Sequence, residues 1–272
     1  MHTQKTRIWL GIGSYLLIGS AVAVAADGAT PKPADTHAVH GKAGQGGEGG
    51  EGGEAGYTSN DPDQVYAVNL ALMKGHLHMA KQLADQGAWD NAAAHAQHPA
   101  AETYGGVAPE LKARKAEPFA AELNALVDQI TEQQPAASLN AAYAAAVGKI
   151  DAAYLKIDAA KRGSAVFVKE VALALLRQSG AEYSIGVKES KIVNLHEYQD
   201  SSGFIAVADQ MLVNLAQQTS AENAAVLQET SQELAALNGL WISAPQMGSA
   251  VAAAADILSR ISRIELKLGK LR

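Results

Sequence analysis

DPDQVYAVNLALMKGHLHMAKQLADQG, residues 61–87, decides how the chain is read. Asp61 has the form of a helix N-cap, and Pro62 takes the first helical position, where its missing N–H is not needed. Val65, Val68, Leu72, His76, Met79 and Leu83 then recur at three- and four-residue spacing, the stripe of an amphipathic helix. Gly87 is the stop signal. One polar residue, His76, interrupts the apolar stripe. An imidazole buried there needs a partner, because an unsatisfied polar group costs ~1–3 kcal/mol. His78 falls on the opposite face.

The same pattern continues toward the C-terminus. Helices are predicted over Trp89–Gln97, Phe119–Ile130 and Leu139–Ala160. Others run from a Ser164 cap to about Val187, from Asn194 to about Gln217, over residues 221–239, and from Ser249 to Leu268. Pro99 kinks or restarts the second helix. Tyr104–Pro109 and Trp241–Met247 read as loops, and no stretch alternates like a strand. The fold class is therefore all-α, a helical bundle. Val68–Lys74 is echoed by Val171–Arg177 at an offset of 103 residues, which admits two related helical halves. Coincidence between Ala/Leu-rich helices explains the echo equally well.

Composition narrows the function. The 272 residues include 22 Lys+Arg, 28 Asp+Glu and no cysteine, for a net charge of −6. Without cysteine there is no disulfide scaffold, thiolate zinc site, iron–sulfur cluster or covalent c-type haem. The acidic balance argues against nucleic acid as a partner. No metalloprotease, nucleophile-elbow, P-loop or dinucleotide motif is present, so no enzyme is expected. Residues 1–25 read as a signal peptide, with Lys5 and Arg7 before an apolar run and Ala23-Val24-Ala25 as the cleavage site. A periplasmic protein without stable membrane insertion follows. Residues 26–60, Gly/Glu-rich and carrying His37 and His40, read as a disordered linker, and residues 61–272 as the helical domain.

The histidines supply the chemical lead. His95, His98 and Glu102 are spaced by three and four residues, one face of a helix. A hairpin at Gly87-Ala88 places His76 ~16–18 Å up one arm, with His98 a similar distance up the other. His76, His95, His98 and Glu102 can therefore converge on a transition metal ion, iron first, with copper or zinc as alternatives. A second group surrounds the later hairpin: Glu182 before the turn at Lys188–Lys191, Glu197 and Asp200 after it. Facing carboxylates on bundle helices bind hard metals, here as a second site or as completion of the first. The Glu-x-x-His pairing of di-iron bundles is absent. In the competing reading, His76 is a core histidine, His95 and His98 are a surface pair, and Glu102 is a cap. Glu182 and Glu197 would then be surface residues paired with Lys188 and Lys191. Tyr183 and Tyr198 are expected to pack with their hydroxyls bonded. Arg260, Arg263, Lys267, Lys270 and Arg272 on the last helix offer either a contact for an acidic partner or membrane surface, or a solvated face.

Ala181-Glu182-Tyr183, followed by Ile192-Val193-Asn194-Leu195-His196-Glu197-Tyr198-Gln199-Asp200-Ser201-Ser202-Gly203-Phe204, resembles helical periplasmic modules of bacterial iron uptake. These are the imelysin-like proteins and the domains associated with iron permeases. The resemblance covers roughly residues 165–268. It implies a bundle that is often duplicated, iron as the metal, and an envelope or permease protein as partner. The Gly-x-His-x-x-Glu motif of the imelysin group is absent. Its nearest counterpart, Gly75-His76-Leu77-His78-Met79-Ala80-Lys81, has different spacing and no Glu, so no site residue is carried over by it. Two functions are consistent with the sequence: metal binding for iron handling or delivery, and a metal-free helical protein–protein interaction module of the envelope. A haem binder using His76 comes third.

Overall fold

A computed structural model describes residues 57–272; the expected signal peptide, His37, His40 and most of the expected linker lie outside the described residues. Helix α1 spans Pro62–Asp85, with the Asp61 carboxylate accepting from the Asp63 N–H at 3.0 Å. Gly87, at φ +78°, turns the chain without the steric cost a Cβ would bring. Helix α2 (Trp89–His98) runs back along α1 and passes into a π-helical turn at Pro99–Thr103, closed by the Tyr104 N–H on the Pro99 carbonyl. Tyr57, ahead of α1, packs against the core, and Ser59 donates to Gln64 at 2.7 Å.

The expected loop at Tyr104–Pro109 is instead helix α3 (Tyr104–Ala113). Gly105, Gly106 and Pro109 are poor helix formers, but Val107 and Leu111 are fully buried one turn apart. The Tyr104 ring packs edge-on to Phe119 and its hydroxyl accepts the Phe119 N–H. Tertiary burial overrides local propensity here. Helices α4 (Ala120–Thr131) and α5 (Ala136–Tyr154) follow, then the short α6 (Ala159–Arg162).

Helix α7 (Ala165–Gly186) is capped by Ser164 as expected, and α8 (Leu195–Ala216) by Asn194. Between them is a small antiparallel ladder, β1 (Val187–Lys188) with β2 (Lys191–Ile192). Glu189 and Ser190 at its tip both have positive φ, the geometry of a tight hairpin turn. The sequence reading contained no strand, because two-residue strands are too short to alternate. Helices α9 (Ala221–Asn238) and α10 (Ala254–Leu268) complete the chain. The last helix was expected from Ser249. A turn at Gly248 and the residues 249–251 instead lie along the hairpin, with Gly248 and Val251 N–H groups on the Ile192 and Ser190 carbonyls.

The halves repeat one arrangement. In the first, α1 packs on α2, α2 on α4, α4 on α5 and α5 on α1. In the second, α7 packs on α8, α8 on α9, α9 on α10 and α10 on α7. Val68–Lys74 and Val171–Arg177 thus lie on corresponding helices, α1 and α7. A single buried core runs through both halves, joined where α1 meets α7 and α8. Among the described residues, no helix is long and apolar enough to cross a membrane.

Arg263 and Lys267 of α10, and Arg272 beyond its end, are matched within the molecule. Lys267 lies 3.5 Å from Glu229, Arg263 3.9 Å from Glu233 and Arg272 3.7 Å from Glu222, all acids of α9. Exposed pairs of this kind contribute little stability.

At the centre, α1 and α8 cross with glycine facing glycine. A Cβ on Gly203 would sit 2.5 Å from the Gly75 carbonyl oxygen and 2.7 Å from Met79 Cγ. Gly203→Ala is therefore expected to cost about 1–3 kcal/mol by overpacking. Gly148→Ala, in open space on α5, should gain about 0.5–1 kcal/mol from helix propensity. Urea denaturation of the two variants checks both signs, and a Gly203→Ala chain as stable as the wild type would contradict the close crossing.

Candidate metal centre

Three helices meet at His76. It lies at the middle of α1, beside the Gly75–Gly203 crossing, and is 1% exposed. The hairpin at Gly87 brings His95 of α2 alongside, 2% exposed. Helix α8 supplies the third group. His196, Asp200, Gly203 and Phe204 recur at three and four residues, so one face of α8 lies against α1 and α2.

Asp200 links the two imidazoles. Its Oδ1 lies 2.7 Å from His76 Nδ1 and 2.8 Å from His95 Nδ1. The three ligand atoms of His76, His95 and Asp200 all lie within 4.8 Å of one another. The other nitrogen of His95, Nε2, is 2.9 Å from Gln199 Oε1. Phe204 meets the His76 ring edge-on at 5.1 Å and closes the apolar side.

His98, at the end of α2, stacks on His76 with ring centroids 4.3 Å apart. Its Nδ1 lies 3.7 Å from Glu102 Oε2, and Glu102 sits half-exposed on the π-helical turn. Pro99 thus keeps His98 and Glu102 close. His76, His95, His98 and Glu102 thus lie as a chain of neighbours, while the group whose ligand atoms lie within 4.8 Å of one another is His76, His95 and Asp200.

The second group divides. Asp200 joins the histidines. Glu197 is buried on α8, three residues before Asp200. Glu182 is buried too, but it accepts from the Gln178 amide on its own helix α7. The expectation that Glu182 and Glu197 sit on the surface paired with Lys188 and Lys191 is overturned by that burial. Lys188 donates instead to the Ser184 carbonyl. Tyr183 and Tyr198 pack 5.5 Å apart as expected, Tyr183 donating to the Ala252 carbonyl and Tyr198 accepting the Ile242 N–H.

Gln199 and His196 were not anticipated as site residues. His196 approaches His95 with ring centroids 5.4 Å apart. The available signal was its position four residues before Asp200, on the same helix face. Gln199 had no such signal, because its contact depends on how α2 and α8 pack.

The electrostatics follow from burial. Burial alone would push the Asp200 carboxyl up. The charges of His76 and His95 and their hydrogen bonds outweigh that and hold it well below the ordinary carboxylate range. Burial pushes the His196 imidazole down, and the charge of His95 adds to the effect while Asp200 opposes it.

Two imidazoles and one carboxylate form a donor set suited to a first-row transition ion, and in particular to non-haem ferrous iron. Gln199 is placed as a supporting partner: a ligating histidine normally donates its second N–H to an oxygen, which fixes tautomer and ring orientation. With Nε2–H of His95 on Gln199, Nδ1 is left to face Asp200 and an ion.

The family model of the iron permease-associated 4-helix bundle domain matches residues 158–272. No curated protein and no solved structure gives a significant match. The matched segment contains α7 to α10 and so carries Asp200, Gln199 and His196. His76 and His95 come from the half outside it.

A carboxyl whose pKa is depressed by the fold stabilises the fold fully above its unfolded value, about 4. That contribution is lost as pH falls toward the folded value. Asp200→Asn should therefore destabilise the metal-free chain at about pH 5 by an amount of order 1–3 kcal/mol, and by less at about pH 3. Urea midpoints of both chains across that range test this, and a difference that does not narrow in acid would contradict it.

Proposed function

We propose that this chain is a periplasmic metal-binding protein for iron handling or delivery, with the ion as cargo rather than as a catalytic cofactor. The observation that carries the reading is the shared Asp200 carboxylate between two buried imidazoles. A buried carboxylate is costly unless it is paired and hydrogen-bonded. Here its partners are two groups that serve equally as metal ligands. His76, His95 and Asp200 are the proposed ligands, with Gln199 orienting His95. The similarity of residues 158–272 to an iron permease-associated domain supports iron over copper or zinc, as does the two-histidine, one-carboxylate donor set.

Delivery requires a recipient, and the same similarity suggests an envelope permease in that role. The proposed periplasmic location rests on the signal-like residues 1–25, and the acidic net charge of −6 favours cations near the surface.

The test is elemental analysis of untagged protein purified from periplasm, before and after mild chelation, followed by anaerobic ferrous titration. Near-stoichiometric metal that rebinds is expected. His95→Ala and Asp200→Ala should each weaken binding by at least about tenfold while circular dichroism stays helical. Metal-replete protein that holds none and takes up none would overturn the reading and leave the metal-free interaction module.

A further inference from the structure

The proposed ligands are enclosed. His76 and His95 are 1% and 2% exposed. A hydrated ion cannot approach such a site with its water shell intact, so donors must replace the water stepwise. Glu102 and His98 connect the enclosed cluster to solvent-exposed side chains. The Glu102 side chain is 53% exposed and that of His98 15%. The Glu102 carboxylate lies 3.7 Å from His98, the His98 ring stacks 4.3 Å from that of His76, and His76 lies 2.7 Å from Asp200. Exposure falls from Glu102 through His98 to His76, and an oxygen or nitrogen donor stands at each.

We infer that Glu102 and His98 form a loading station, which strips water from an arriving ion and passes it to His76, His95 and Asp200. This rests on the metal-binding reading and assigns separate roles within the cluster. Glu102 supplies the charged, solvated oxygen that captures the ion. His98 supplies an intermediate-softness nitrogen against the ring of His76. The ion thus keeps a protein donor while it loses water, which lowers the barrier in both directions.

The backbone suits this role. Glu102 sits on the π-helical turn, and His98 immediately precedes it. A π-helical turn interrupts the regular i→i+4 ladder, and Pro99 removes one backbone donor from it. His196 is the competing route, since it is exposed and lies beside His95. It offers one donor, whereas His98 and Glu102 form a pair spaced for chelation.

Stopped-flow loading of the metal-free full chain with Co(II), and unloading into excess EDTA, tests the assignment. Co(II) is a spectroscopic probe for a ferrous-type site. Glu102→Gln alters an exposed side chain, and His98→Phe keeps a ring stacked on His76, so both should fold. A station on the path, outside the final ligand set, changes loading and unloading together. Both rates are expected to fall by about tenfold, with equilibrium affinity from chelator competition within about threefold of wild type. His196→Ala should leave both rates within about twofold. Rates unchanged in Glu102→Gln and His98→Phe while Co(II) still binds would overturn the station alone. So would slowed loading in His196→Ala only. Affinity lost in step with a faster release would make His98 and Glu102 final ligands and overturn it too. A wild-type chain that takes up no Co(II) would overturn the metal-binding reading, and the station with it.

Discussion

The contact on which the rest depends is backbone against backbone at Gly75 and Gly203. Side chains there would hold α1 and α8 apart, because the position of a Cβ on Gly203 is already occupied. An imidazole extends only a few ångströms from its helix axis, and an aspartate extends less. Asp200 reaches His76 at hydrogen-bond distance because the helix axes approach this closely one turn away. The glycines are therefore part of the centre without offering it a single ligand atom. Phe204, next to Gly203, uses the same closeness to wall the His76 ring from water.

A carboxylate in that position is a strained choice for a core. Burial of an unpaired charge costs several kcal/mol, and even a good ion pair often only offsets the penalty. Replacing such a buried pair by hydrophobic residues of the same volume is often neutral or stabilising. The surroundings of Asp200 limit the cost, since both imidazole Nδ1 atoms converge on one oxygen and Gln199 occupies the far nitrogen of His95. Ser179, Ser201 and Trp241 bond to backbone or to each other near the Tyr183–Tyr198 pair, and no chemistry attaches to them.

Much of this was legible in the sequence because it depends on local rules. Caps at Asp61, Ser164 and Asn194 and the stop at Gly87 lie where the residue types put them. The meeting of His76 with His95 and His98 needed only helical rise and one tight turn. Contacts between distant elements were harder to read. Asp200 could be singled out as a carboxylate near a hairpin, but its pairing with His76 and His95 spans both halves. Glu182 looked equivalent by spacing, yet it faces along α7. Helix α3 was missed because its glycines and Pro109 suggest a loop, whereas the burial of Val107 and Leu111 is a tertiary effect. The hairpin and the residues 249–251 beside it were missed because they stabilise each other and neither is visible alone.

The two bonds that tie Asp200 to the histidines close over 124 and 105 residues of chain. Loop-closure entropy makes such contacts depend on everything between them being in place. A nascent or truncated chain that ends before α8 can form the first hairpin and its histidines, yet it has no carboxylate to set between them. The centre is therefore a property of the finished molecule. Its two halves share one arrangement of helices, but neither contains the centre by itself.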